Sequence, residues 1–590
     1  MSNELHEFEN KINELYSIMI QPIHEYYKTA AVQNCRLELG IGVKDSFSVK
    51  YAALMKDGKE MGAVYTPEEI SGYMIRRTIM PGDIIENPYL RIADPACGTG
   101  NIILPVFRHL KEIYSSSLGE INGRHGLRLG ERDIARHILD NNLFGFDLDR
   151  LAVRVLFADL FFEAGYFNVG NFREDDFLMS AAGECFDVFL GNPPYIGHKT
   201  MDKGYARELK ENYRGIYTDK GDISYCFFQR AIDLMKGKGK LTFITSRYFI
   251  ESPSGEALRN LLSRDGAIAS IVDFYGIRPF KGVGIDPVII FMDFSRASES
   301  GFEVIKPLQK GGKNDKNAFL QSLLHGMGNE YSQFRMKHEA LKDSGWILKG
   351  AEEIVILNKI SEKCRVALSD LAVSYQGIIT GCDRAFVLGI EAAGEAGIET
   401  KLLKPWIKSS SIEKNNVKDV KSLLIYSDLI EDEAMYPNAM NHISEYRERL
   451  MKRRECRTGA RKWHMLQWGR KSAIFEERKI VFPYKASSNR FAIDEGSYFS
   501  ADVYALVLRE GYAMSLEKLL RLLNSRTYEF CFKSFAKKLG EDQYEYYPNN
   551  LMKLRIPIEP QEDFLSEEEI YRYFGFTDRE IDIIEKSLSS

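Results

Sequence analysis

A chain of 590 residues, 44% hydrophobic and 28% charged, is too long for one core and has the balance of a globular protein of two or three domains. Its net charge of −5 excludes a uniformly basic coat and leaves only a local basic surface for any nucleic acid. The eight cysteines, Cys35, Cys97, Cys185, Cys226, Cys364, Cys382, Cys456 and Cys531, stand singly with no C-x-x-C pair and no histidine at metal spacing, which argues against a zinc site or a disulfide framework and fits a reducing cytoplasm.

The first residues lack a basic stretch followed by an apolar one, and no apolar run nears the ~18 residues that cross a bilayer, so a cytoplasmic protein away from the membrane is expected. Leu5, Phe8, Ile12, Leu15 and Met19 recur at three- and four-residue spacing, which predicts an amphipathic helix over 4–28. Residues 1–60 read as an N-terminal helical segment packed on the next domain. In Tyr65-Thr66-Pro67-Glu68-Glu69, Thr66 suits a cap, Pro67 the first helical position and Glu69 the other half of a capping box, with a helix running to about Thr78. From Arg91 to Phe294, strands at 91–96, 143–147, 186–191, 240–246, 267–274 and 288–294 alternate with helices near 101–116, 149–165, 222–236 and 254–264. This predicts an α/β domain over 61–300 with a mostly parallel sheet covered on both faces, and ligands beyond the carboxyl ends of its strands. Ser, Gly, Lys and Asn gather around 296–316, so 301–345 reads as a connecting region. Residues 346–590, aromatic and basic without the alternation, read as a second domain.

Two motifs fall at strand carboxyl ends. Asp94-Pro95-Ala96-Cys97-Gly98-Thr99-Gly100-Asn101 is a glycine turn between a strand and a helix, able to bring backbone close to a ligand. A later strand ends in Phe146-Asp147-Leu148-Asp149, where a carboxylate suits the two hydroxyls of a ribose. Neither G-x-G-x-x-G nor G-x-x-x-x-G-K-[ST] is present, so a nucleoside without pyrophosphate fits better than a dinucleotide or a triphosphate. Asp176 and Phe177 suit an adenine amino group and an adenine face. The alternative is a plain turn at Gly98 and Gly100, with Asp147 capping a helix.

The second motif is Asn192-Pro193-Pro194-Tyr195, after the apolar strand 186–191. Two prolines stiffen the loop and remove two backbone donors, leaving the Asn192 amide oxygen and the Pro193 carbonyl as acceptors for one exocyclic amino group. Tyr195 offers a ring for stacking, or merely covers the loop. Acceptors on an aromatic amine draw its nitrogen toward tetrahedral geometry and stabilise the charge that develops as it attacks; alignment with an activated methyl supplies much of the rest.

The series Gly62-Ala-Val-Tyr65-Thr66-Pro67, Asp94 to Asn101, Phe146-Asp147, Asp176-Phe177 and Asn192-Pro-Pro-Tyr195 resembles the γ-class (TaqI-like and Eco57I-like) N6-adenine DNA methyltransferases over about residues 60–295. Over the whole chain the likeness extends to the CamA-type orphan adenine methyltransferases of clostridia. The resemblance implies a Rossmann-like class I fold with a mostly parallel seven-stranded sheet and a C-terminal α+β target-recognition domain. It implies S-adenosyl-L-methionine as donor, S-adenosyl-L-homocysteine as product and no metal. Asp94, Ala96 and Gly98 would lie near the methionine part, Asp147 on the ribose, Asp176 and Phe177 at the adenine, Tyr65, Thr66 and Pro67 along the same pocket, and Asn192 between cofactor and base. Phe280, in Arg278-Pro279-Phe280-Lys281-Gly282-Val283, stands where a second aromatic would sandwich the base, or is core leading into a strand.

Double-stranded DNA as partner requires a grip. Residues 446–491 hold fourteen Lys and Arg against four Asp and Glu. Arg453, Arg454, Arg457, Arg461, Lys462, Arg470, Lys471 and Lys485 suit phosphates or base edges, and Trp463, Trp468 and Tyr484 suit packing or stacking; a solvated basic helix is the plain alternative. The segments Ser374 to Phe386 and Tyr546-Tyr-Pro-Asn549 resemble target-recognition domains of the same enzymes. A monomer without a fused nuclease is expected, since 1–60 is short for one. A protein glutamine or ribosomal RNA methyltransferase is the rival, because Asn-Pro-Pro-Tyr serves any planar amide or amine. A silent DNA-binding subunit is a third reading, which the intact Asn192, Pro193 and Tyr195 oppose.

Overall fold

The computed structural model describes residues 3–55, 65–180, 183–196, 201–218, 221–280, 284–296, 301–308, 316–326, 330–512, 514–539, 543–557 and 566–589. Two units separate, one of Met1–Leu308 and Asn314–Ile347, the other of Gln309–Lys313 and Leu348–Ser590.

The first unit begins with helices α1 (Asn3–Met19), α2 (Glu25–Glu38) and α3 (Phe47–Met55). The single helix expected over 4–28 is therefore two, because Pro22 lacks the N–H that would continue α1 and disfavours helical backbone before it. Phe8, Ile12, Leu15 and Met19 are buried as their spacing requires. Next come α4 (Glu68–Thr78), α5 (Pro81–Glu86), strand β1 (Ile92–Asp94), α6 (Ile103–His125), α7 (Ile134–Asn141), β2 (Leu143–Asp147) and α8 (Arg150–Ala164). They are followed by β3 (Phe172–Glu174), β4 (Phe186–Gly191), β5 (Met235–Ser246), β6 (Ile268–Asp273), β7 (Pro287–Asp293), β8 (Phe302–Pro307) and β9 (Tyr331–Met336).

These strands form one sheet in the order β3-β2-β1-β4-β5-β7-β6-β8-β9. The pairs from β3 across to β5 are parallel, β7 is antiparallel to both β5 and β6, β8 runs parallel to β6, and β9 is antiparallel to β8. The sheet thus has nine strands where seven were expected. The extra pair comes from 301–345, expected as a connector: Phe302 and Val304 alternate inward with Glu303, a strand pattern too short to stand out beside the polar run after it.

Parallel register brings Ile92 beside Leu143 on one side and beside Val188 on the other. The carboxyl ends of β1, β2 and β4, which carry both motifs, are therefore neighbours.

The second unit is α+β. One antiparallel sheet joins Ala372–Gln376, Val503–Leu508, Arg478–Pro483 and Ala492–Glu495; a mixed sheet joins Val387–Gly389, Ser422–Ile425, Leu403–Ile407 and Tyr498–Phe499, its last pair parallel. Helices Leu516–Asn524, Arg526–Phe535 and Asp578–Ser589 belong to it. Among the described residues, no helix is long and apolar enough to cross a membrane.

Candidate functional site

β1 delivers Asp94 into the interior, 2% exposed, where its Oδ1 accepts from the Ala96 N–H at 3.0 Å. Burial, opposed by that N–H and reinforced by the charge of Asp147, pushes the Asp94 carboxyl up to about 8. Gly98 (φ +51°) and Gly100 (φ +91°) both take left-handed backbone, for different reasons. A β-carbon at Gly98 would meet only Asp147 Oδ2, at 3.9 Å, so the space before it is open; one at Gly100 would strike Leu156 Cδ1 of α8 at 2.5 Å. Only the first leaves room for a ligand.

At the end of β2, Asp147 Oδ2 accepts from the Gly98 N–H at 2.7 Å and Oδ1 from the Asp149 N–H at 2.8 Å, while burial raises its carboxyl above the usual range. The capping that the sequence left open for Asp147 falls to Asp149, whose Oδ1 accepts from Leu151 and Ala152 at the start of α8. Asp149 Oδ2 receives the Tyr51 hydroxyl from α3 at 2.6 Å. Burial, with the charges of Asp149 and Asp147, pushes the Tyr65 phenol up to about 12, which places Tyr65 beside the same carboxylates. Thr99, 1% exposed, keeps its hydroxyl buried beside the Tyr65 phenol. Open space before Gly98, acceptors at Asp94 and Asp147 and the buried Thr99 hydroxyl suit a ligand that brings both hydroxyls and a positive charge.

The second motif abuts the first. A β-carbon on Gly191, the last residue of β4, would lie 3.0 Å from Pro95 Cδ and 3.1 Å from Asp94 Oδ1. Asn192 Nδ2 then donates to Thr66 Oγ1 at 3.0 Å. Thr66 is consequently not a cap: Pro67 holds the N-cap position of α4, no side chain caps it, and the capping box expected with Glu69 does not form. The Tyr195 hydroxyl donates to Asn192 Oδ1 and lies 3.3 Å from the Ile244 carbonyl. Burial raises the Tyr195 phenol well above its ordinary value, so it stays a donor. Pro193 is buried and Pro194 half-buried.

Two aromatic expectations are corrected. Phe177 is 2% exposed, packed 5.3 Å from Phe146, 5.9 Å from Phe189 and stacked 5.8 Å from Phe227, so its ring has no face open for an adenine. Its neighbour Asp176 accepts from the Leu178 N–H and from the Tyr205 hydroxyl. Phe280 is 5% exposed within the core that holds Phe274 and Ile277, the packing outcome the sequence left open. In both cases an apolar ring next to a core strand is drawn under the sheet. Gly62–Val64, before Tyr65, and Lys281–Val283, after Phe280, lie outside the described residues. Among the described residues, no group of three or more His, Cys, Asp and Glu is placed to hold a metal.

In the second unit the basic block divides into structural and exposed members. Arg453 donates to the carbonyls of Leu450, Thr380, Trp463 and Met465 at 2.7–3.1 Å, and is thereby a structural clamp rather than a phosphate ligand. Arg461 pairs with Asp428 Oδ2 at 3.0 Å. Lys479, also within the block, is 0% exposed and bonded to Asp494 and to the Phe475 carbonyl. Trp463 is half-buried beneath the Arg447 guanidinium at 5.0 Å. Tyr484 donates to Glu545 and lies 5.2 Å under Lys485. Arg454, Arg457, Lys462, Arg470, Lys471 and Lys485 are exposed. The sequence reading missed Tyr51, Asp149 as the cap and Gln376, whose side chain binds Arg470; their partners are distant in the chain and carry no local signal.

A family model described as Eco57I restriction-modification methylase matches residues 141–280, and one described as TaqI-like C-terminal specificity domain matches residues 429–558. The chain is similar to the Type II methyltransferase M.BstVI of Geobacillus stearothermophilus, 21% identical over 519 residues, covering 84% of this chain and 90% of the relative. It is also similar to the Type II methyltransferase M.HindII of Haemophilus influenzae, 24% identical over 412 residues, covering 63% of this chain and 77% of the relative. The fold is similar to that of the Type IIL restriction-modification enzyme MmeI in complex with DNA, with a TM-score of 0.62 at 15% identity, covering 89% of this chain and 73% of the other.

Proposed function

We propose that the protein is a DNA methyltransferase of the restriction-modification kind, which transfers a methyl group from S-adenosylmethionine to N6 of an adenine everted from duplex DNA at a defined site. The observation that carries this reading is the Thr66–Asn192 hydrogen bond. With Nδ2 engaged, the amide is held with its Oδ1 as the acceptor, next to the Tyr195 ring and backed through Gly191 onto the turn at Asp94. The matches to the methylase and specificity models and the Type II methyltransferase relatives support the same reading.

Asp94, Ala96, Gly98 and Asp147 would hold the cofactor, with Tyr65 along the edge; bound there, it supplies a methyl group on a sulfonium and is released as S-adenosylhomocysteine. Asn192 Oδ1 and the Pro193 carbonyl accept the two amino hydrogens of the target base, which localises the nitrogen lone pair and stabilises the charge it gains. Tyr195 holds the ring plane by stacking. Eversion of the base costs a few kcal/mol, and exposed basic residues of the second unit that hold the duplex phosphates offset it.

The test is labelled methyl transfer by wild type and Asn192→Ala, offered duplex DNA, ribosomal RNA and total protein separately, with long-read sequencing of DNA from cells expressing each form. The expected result is N6-methyladenine at one DNA motif for wild type. For Asn192→Ala the rate drops on the order of 10²–10³-fold with cofactor binding by calorimetry nearly intact. Label appearing in RNA or protein and not in DNA refutes the reading.

A further inference from the structure

One residue of the basic block combines two unusual features. Arg470 has φ +63°, a left-handed backbone that a residue with a β-carbon adopts at a steric penalty. Its guanidinium is also oriented: Nη2 donates to Gln376 Oε1 at 2.9 Å and Nε donates to the Gly377 carbonyl at 3.4 Å. Those two groups form the side edge of the fork. The end edge, made of Nη1 and the second Nη2 hydrogen, belongs to an exposed residue lining a cleft of about 880 Å³, together with Ser374, Lys471 and Glu477.

The loop that carries Arg470 is fixed from several sides. Trp468 exchanges both backbone hydrogen bonds with Ile379, at 2.9 and 3.1 Å. Asp428 Oδ1 accepts from the Leu466 N–H at 3.1 Å, and a β-carbon on Gly469 would overlap the same carboxylate. The Tyr426 hydroxyl donates to the Arg470 carbonyl at 2.7 Å. A loop serving only to turn the chain would be satisfied by glycine at φ +63°. Here a strained backbone holds out a pre-aimed fork, and strain retained at such a position points to recognition.

We infer that Arg470, steered by Gln376, reads a guanine edge in the target site, its end-on N–H pair meeting guanine O6 and N7. The match is geometric: two parallel donors face two adjacent acceptors that only guanine presents together in the major groove. Arg453 is committed to the Leu450, Thr380, Trp463 and Met465 carbonyls, and Arg461, which lines the same cleft, is tied through Nη1 to Asp428, whereas Arg470 is exposed with its side edge already steered. The inference rests on the proposed DNA methylation.

The test uses the full-length wild type and Arg470→Gly, which takes φ +63° without strain and so stays folded. Duplexes carry the modified motif with each base pair exchanged in turn, and one series replaces each guanine by 7-deazaguanine, which lacks N7. Wild type is expected to lose activity on the order of tenfold or more when one particular guanine is exchanged, and to slow when that guanine lacks N7. In Arg470→Gly both effects shrink to within about twofold at that position alone, other positions stay discriminated, and cofactor affinity is unchanged; Gln376→Ala gives an intermediate loss. A uniform fall across all duplexes, or full discrimination retained by Arg470→Gly, overturns this inference and leaves the methyltransferase reading standing. A wild type that methylates no duplex overturns both.

Discussion

Cutting the hydrogen bond between Thr66 and Asn192 removes one of the contacts that orient the amide and leaves the Tyr195 hydroxyl on its oxygen, so under the proposed reading that oxygen would meet the base less often. Thr66→Val is therefore expected to lower kcat about tenfold, the worth of one buried hydrogen bond, with KM for DNA little changed. Thr66→Ser restores it, which loss of packing alone would not allow; single-turnover and steady-state rates check this. Asp94 gives a second expectation. Its carboxyl, ordinarily at 3.8, titrates at about 8 when folded, so between these values the native state binds more protons than the unfolded one and stability falls as pH rises. A cationic ligand favours the ionised form, so its binding releases a proton and tightens as pH climbs from 6 toward 8. Calorimetry across that range should show the slope in wild type and its absence in Asp94→Asn. At this scale the sequence showed chemical type and order but not exposure. Asn192 and Asp147 stood out because each is a polar group at the carboxyl end of a parallel strand, where ligands of such sheets bind. Phe177, Phe280 and Arg453 could not be sorted, because a ring or a guanidinium serves packing as readily as ligand contact.

Among the elements, β2 and β4 fall at the residues their apolar runs mark out, since short turns bound each run sharply. β3, three residues long, has no pattern to detect, and β8 and β9 were hidden by the polar stretch between them. The least legible element is α3, which joins the site through partners remote in sequence. Asp159, 1% exposed on α8, accepts from the Phe47 and Ser48 N–H groups at 2.9 and 3.0 Å and so fixes the first turn of α3. One turn on, Tyr51 reaches Asp149. Asp159→Ala leaves two buried donors without a partner. It should reduce stability by roughly 2–4 kcal/mol, read by urea denaturation, and weaken cofactor binding as Tyr51 loses its footing. Undiminished cofactor affinity in that variant would separate the N-terminal helices from the site.

For the whole molecule, a net charge of −5 conceals a basic block, part of which the structure ties to internal partners. Of the arginines and lysines in 446–491, Arg453, Arg461 and Lys479 are held by internal partners, while Arg454 and Arg457 are exposed. The double variant Arg454→Ala/Arg457→Ala should weaken DNA binding evenly across sequences and reduce the log–log salt slope by about two; a binding isotherm series in rising salt measures it. Sequence alone located the block, because charge density is a local property; it could not divide the block, because Thr380, Asp428 and Asp494 come from other strands and loops. The Tyr195 hydroxyl, seated on the Asn192 oxygen, bears on how such a molecule surveys a duplex. Under the proposed reading, a base turned toward that loop would meet an acceptor already occupied by a tethered phenol. Admission would then be an exchange of one donor for another, and a visitor with no amine of its own would return to its stack before any chemistry begins.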